Sequence, residues 1–146
     1  MIPSAFLNLA IHLSNDPGAD ESWFRTAVGR AYYAAFHVGL EFAERLGVRL
    51  PRQEHVHKKL MMLLGNCRLT SLSDAGKLLD DLKRDRNHAD YSLRDPRFGG
   101  RNVALAAIAR SQRLCQIIDD CGADPDTAGI KSAIQDSARL LGLSVV

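Results

Sequence analysis

This chain has few cysteines and none in a useful pattern. Cys67, Cys115 and Cys121 are odd in number, and no two stand at C-x-x-C spacing. That excludes a paired disulfide framework and a cysteine zinc site, and it points to a reducing compartment. No apolar run approaches the roughly 18–20 residues needed to cross a bilayer. No basic segment leads into an apolar stretch near Met1, so no membrane association is expected and the expected location is cytoplasmic. Period-two alternation over a strand's length is missing, which removes sheet architectures. There is no glycine-rich phosphate loop, H-E-x-x-H, nucleophile elbow, paired carboxylates or internal repeat. A triad hydrolase, an NTPase and a zincin are therefore excluded, and no metal or other cofactor is expected.

What is present is helical periodicity in a chain of ordinary globular composition, 46% apolar and 25% charged. At 146 residues the chain makes one domain, with a core at about 3–121 and a C-terminal helix at about 126–141. The spacing predicts a first helix over 3–14 and a turn at Asn15-Asp16-Pro17-Gly18. A long second helix runs from Asp20 or Glu21 to about Leu46, with Gly47 as its stop. Ala27, Ala31, Ala34, Ala35, Val38 and Phe42 give the second helix a face that a neighbour can approach closely. A third helix is expected from Pro51 to about Asn66 and a fourth from about Asp74 to Tyr91, with N-cap candidates at Thr70, Ser71 and Ser73. After a loop at 95–100, a fifth helix covers about 102–121. The expected fold class is all-α, an antiparallel up-and-down helical bundle of four core helices with short extra helices.

The net charge of +2 is unevenly spread: residues 49–101 hold twelve of nineteen Lys and Arg but only seven of seventeen acids. A basic section of this kind fits a phosphate-bearing partner. Within it, Lys83-Arg84-Asp85-Arg86-Asn87-His88-Ala89-Asp90-Tyr91 crowds cations, an amide, an imidazole and a phenol into the end of the fourth helix. Arg84, His88 and Tyr91 fall on one stripe, and Lys83, Asn87 and Asp90 on its neighbour. Such a group can bind phosphate, with Arg86 and Asn87 as contacts, His88 for acid/base work and Tyr91 as a hydrogen-bonding anchor. Its plain alternative is a solvated helix end in which Arg86 and Asp90, at i, i+4, make an ordinary ion pair. On the second helix Arg30, Tyr33 and His37 share a face that is placed to meet this cluster. His55 and His57 diverge by roughly 200° on a helix and cannot chelate one metal; with Lys58 and Lys59 they read as basic surface.

Two segments resemble a known family. Arg25-Thr-Ala-Val-Gly-Arg30-Ala-Tyr-Tyr-Ala-Ala-Phe-His37 is similar to the second-helix signature of HEPN domains. Arg86-Asn87-His88-Ala89-Asp90-Tyr91 resembles the R-x-x-A-D-Y signature of a bacterial HEPN branch. Phe6-Leu7-Asn8-Leu9-Ala10 and the stretch around His55 also fit, so the likeness spans roughly 3–120. The resemblance implies a homodimer whose polar motifs meet in a shared cleft. In active members it implies metal-independent RNA cleavage by toxins of toxin–antitoxin systems, with catalytic Arg86, Asn87 and His88 here. Arg84, Lys83, Tyr91, Asp90, Arg30 and Tyr33 would bind RNA or nucleotide. The chain departs from the family's R-x(4–6)-H spacing, since positions five to seven after Arg86 are Tyr91, Ser92 and Leu93, and His88 follows Arg84 by only four. In R-x4-H-x-Y, whose tyrosine a paired nucleotidyltransferase can modify, Arg84 and Tyr91 are correctly spaced but Ala89 replaces the histidine. The alternative is therefore a non-catalytic interaction module partnering a small nucleotidyltransferase-type antitoxin or another protein.

Overall fold

The longest helix organises the others. In the computed structural model, which describes residues 1–53 and 55–146, α2 runs Glu21–Arg45 and touches α1 (Ser4–Asn15), α3 (Val56–Gly65), α4 (Thr70–Tyr91) and α5 (Arg101–Ala123). It begins where Asp20 stands in extended backbone and its carboxylate accepts from the Trp23 amide at 3.2 Å. That bond satisfies one of the donors left open at a helix start. Small residues let the neighbours close in. Ala27, Ala31, Ala34, Ala35 and Ala43 are fully buried, and a side chain on Gly39 would lie 3.3 Å from Leu60. Gly47, at φ 85°, turns the chain out of the helix in a conformation other residues resist.

The sixth helix, α6 (Thr127–Leu140), packs against α3 and is capped by Asp126, whose carboxylate accepts from the Gly129 amide at 3.0 Å. Core leucines of α3 and α4, among them Leu60, Leu63, Leu64, Leu72, Leu79 and Leu82, are sealed from solvent. Burying one such side chain is worth about 1.5–3 kcal/mol. The protein is thus mainly helical, as its periodicity required. Among the described residues no helix is long and apolar enough to cross a membrane.

Three expectations need correction. The first is the lack of strands: β1 (Val48–Arg49) pairs antiparallel with β2 (Ser144–Val145), Val48 opposite Val145, and the Val146 amide adds a bond to Gly47 O at 2.7 Å. The second is the start of α3, which lies at Val56 and not Pro51, because His55 adopts the left-handed conformation at φ 71°. The third is the start of α4, already at Thr70.

Candidate nucleic-acid interface

Arg25 fixes the end of α4. It sits in the first turns of α2, only 6% exposed. Its guanidinium donates to the carbonyl of Ala89 at 3.0 Å, of Asp95 at 2.8 Å, of Leu93 and Ser92 at 3.3 Å and of His88 at 3.4 Å. Its Nε donates to Glu21 at 2.9 Å. The last carbonyls of a helix have no partner within it and carry the negative end of its dipole. One buried planar cation meets both needs. Sequence reasoning gave Arg25 no such role. The signal was there: it lies three and seven positions before Val28 and Tyr32 on a face that is otherwise apolar.

With α4 held, Arg86 meets α2. Its Nη2 donates to the Tyr33 hydroxyl at 3.0 Å and its Nη1 to Asn87 Oδ1 at 3.2 Å. Its Nε lies 3.0 Å from Asp90 Oδ2, an ion pair set off the N–H direction of a hydrogen bond. The guanidinium carbon stands 5.5 Å from the Tyr33 ring centre and 5.8 Å from that of Tyr91. Arg30 lies between Phe6 and Tyr33, at 5.6 and 5.5 Å from the two ring centres. Neither Arg30 nor Lys83 pairs with a carboxylate among the described residues. The face therefore carries Arg30, Lys83 and Arg86 beside the carboxylate of Asp90, with aromatic planes between them. Cations over rings and free donors suit a stacked base and a phosphate.

Histidines border this face. His37 stacks on Phe6 at 5.7 Å, with an interplanar angle of 7°. His57, from α3, stacks on Phe36 at 4.0 Å and stands edge-on to Tyr33 at 6.4 Å. Its Nδ1 shares a short hydrogen bond with the hydroxyl of Tyr32, which is 1% exposed. Burial, then Lys83, Arg86 and His37, hold the His57 imidazole below its ordinary pKa. Burial pushes the Tyr32 phenol well up. The expectation that His57 belongs to a basic surface with Lys58 is corrected: its ring turns inward, on the stripe of Leu60 and Leu64. His55 is exposed.

The structure brings together Arg30, Tyr33, Lys83, Arg86, Asn87, Asp90 and Tyr91, the last 75% exposed. It leaves two expected site residues elsewhere. Arg84 pairs with Asp80 at 3.1 Å and Asp81 at 3.5 Å on open surface. His88 points away from the Arg86 face, because two helical positions from Arg86 amount to about 200°. Its ring stacks on Phe98 at 4.5 Å, and its Nδ1 is 3.5 Å from Ser92 Oγ. Nearby Asp85 is held above the usual carboxylate range by burial, opposed by Arg110 at 2.8 Å. Arg86 and His88 thus do not form one catalytic pair within a single chain.

A hollow of about 610 Å3 opens beside β1, lined by Arg45, Val48, Arg49, Lys131 and Val146. It holds no histidine and none of the aromatic planes of the Arg86 face. Among the described residues no three His, Cys, Asp or Glu side chains cluster as a metal ion requires. No family model, curated protein or solved structure matches the chain.

Proposed function

We propose that this protein is a HEPN-like antiparallel bundle that homodimerises and binds RNA through the Arg86 face, without using His88 to cleave it. One observation carries the reading: Arg86 is aimed by Tyr33, Asn87 and Asp90 into a face where, among the described residues, Arg30 and Lys83 lack carboxylate partners. A preset guanidinium loses little freedom when it takes up a phosphate, and its fork matches phosphate oxygens. Tyr33 and Tyr91 offer rings on which bases stack. Exposed Tyr91 and Leu93 next to the face supply apolar surface for the second copy.

The test is binding of single-stranded RNA and its 2′-O-methyl analogue in EDTA, with mass measured in solution. Wild type should bind both as a dimer. Arg86→Ala should lose about tenfold or more, as expected for a hydrogen bond to a charged group, and should flatten the salt dependence by about 0.7 of a log unit per log unit of salt. Absence of binding, or binding unchanged in Arg86→Ala, refutes the reading. Cleavage in EDTA that is lost in both Arg86→Ala and His88→Ala would instead establish the metal-independent endoribonuclease.

A second reading rests on Tyr91, whose hydroxyl end lies in solvent. A paired nucleotidyltransferase could direct its phenolic oxygen to attack the α-phosphorus of a nucleoside triphosphate, releasing pyrophosphate and passing the phenol proton to the transferase. A mass gain of one nucleotidyl group on Tyr91 after co-expression with such a partner, absent in Tyr91→Phe, would establish it.

A further inference from the structure

We propose that His57 is a phosphate ligand of the Arg86 face, presenting an uncharged Nε2–H donor that the buried hydroxyl of Tyr32 fixes in place. The inference rests on the RNA-binding reading above and extends it to a third helix.

The tautomer follows from hydrogen-bond accounting. Tyr32 is sealed from water, and the one partner of its hydroxyl among the described residues is His57 Nδ1. A buried hydroxyl proton needs an acceptor. Were the imidazole proton on Nδ1, that proton would point at the phenol oxygen and leave the phenol proton with nowhere to go. Tyr32 therefore donates to Nδ1, and the ring proton sits on Nε2. Nε2 has no partner among the described residues.

The ring cannot swing away from this position. Phe36 holds one of its faces at 4.0 Å, and Tyr32 lies at 5.6 Å. The charged and titratable groups around it are Tyr32, Tyr33 and His37 of α2 and Lys83 and Arg86 of α4. No charged group of α6, the other helix that packs on α3, acts on it. Among the described residues every charged neighbour acting on it is a cation or can become one, which with burial disfavours the charged imidazole. A neutral N–H on a ring within the field of two cations would add direction to a site that already has charge. Tyr33 is the shared neighbour, edge-on to His57 and hydrogen-bonded to Arg86. An oxygen of a phosphodiester seated over Tyr33 can accept from both.

The probe is a fluorescent 2′-O-methyl RNA oligonucleotide, which binds without being cut and whose charge is constant across the pH range. His57→Phe keeps the stack on Phe36 and removes the donor; it should weaken binding about tenfold. His57→Gln, with an amide N–H at similar reach, should recover most of that loss. Nitrogen-15 spectra of the imidazoles in the wild type should show the Nε2–H tautomer for His57 and a shift of that proton on adding the oligonucleotide. This second measurement needs no variant to fold. An unchanged affinity in His57→Phe alongside a weakened Arg86→Ala overturns the His57 assignment and leaves the face standing. The Nδ1–H tautomer, or an Nε2 proton unmoved by saturating oligonucleotide, also overturns it. A wild type that binds no oligonucleotide overturns both readings together.

Discussion

Replacing Arg25 should be the most damaging single change to this fold outside its apolar core. Arg25 is 6% exposed and its guanidinium bonds five carbonyls, two of them at 3.0 Å or less. In Arg25→Met the apolar stem stays, so little packing is lost, but the carbonyls of Ala89 and Asp95 lose their donor in a place water barely reaches. Each short charged hydrogen bond is worth about 1.5–3 kcal/mol. The three longer bonds, at 3.3–3.4 Å, add less. The ion pair to Glu21 adds little, since that carboxylate is 58% exposed. The loss should be about 3–5 kcal/mol, a large part of the total stability of a domain this size. Thermal unfolding should fall by about 10 °C or more. Hydrogen exchange should speed up first at the Ser92 amide, which bonds His88 O at 2.9 Å at the exit of α4. Arg25→Lys should fall between, because a point charge cannot span five acceptors. Urea titration decides the matter. If Arg25→Met costs less than about 1 kcal/mol, the carbonyls find other donors and the capping argument fails.

The other expectations are simpler. Arg84→Ala should change stability by no more than about 0.5 kcal/mol in the same titration, since its ion pairs are exposed. Gly76→Ala should destabilise by about 1–3 kcal/mol despite a better helix residue, because its Cβ would meet the Gly65 backbone, 2.7 Å from the Cα; Gly65→Ala, with nothing near, should be neutral or better in thermal melts. Asp126→Ala should cost about 1 kcal/mol through loss of the α6 cap, read by urea unfolding. The lowered pKa of His57 sets a pH dependence. Below pH 6.5 the unfolded chain takes up a proton at this ring before the folded chain does, so this contribution to stability is complete above 6.5 and is lost as pH falls toward the folded-state value. His57→Gln should flatten the fall in urea midpoint between pH 7.5 and 5; an unchanged slope would assign it to other groups.

How much of this was legible in the sequence depended on whether a feature is local. The ends of α1, α2 and α5 came close to expectation because a proline, an Asp N-cap or a glycine stop marks them within a few residues. The β1–β2 pair was invisible, since two residues a side show no periodicity and the partners are almost a hundred positions apart. The start of α3 was misplaced because a proline at a helix start is a common signal, whereas a left-handed histidine gives none. The Arg86–Asp90 pair followed from i, i+4 spacing, and the meeting of Tyr33 with α4 from a shared face.

The two residues that most shape the face escaped that reasoning for one reason. Arg25 and His57 are polar groups on apolar stripes, and such groups are tolerated only where distant backbone or hydroxyl groups satisfy them. Arg25 needs the end of α4, sixty-odd residues away, and His57 needs a tyrosine twenty-five residues before it. Neither partner can be read from spacing, but the anomaly can: each breaks its own helix's apolar pattern, next to Val28 and Tyr32 in one case and Leu60 and Leu64 in the other. The conspicuous charges behave the opposite way. Arg84, flanked by acids on its own helix, is neutralised where it stands. Arg86 reaches Asp90 yet is also tied to Tyr33 of another helix, and its guanidinium is held facing the aromatic planes. For Arg86 and His57 the deciding partner lies on another helix, Tyr33 in one case and Tyr32 in the other, whereas the partners of Arg84 lie on its own. That difference holds Arg86 and His57 against α2 and leaves Arg84 on open surface.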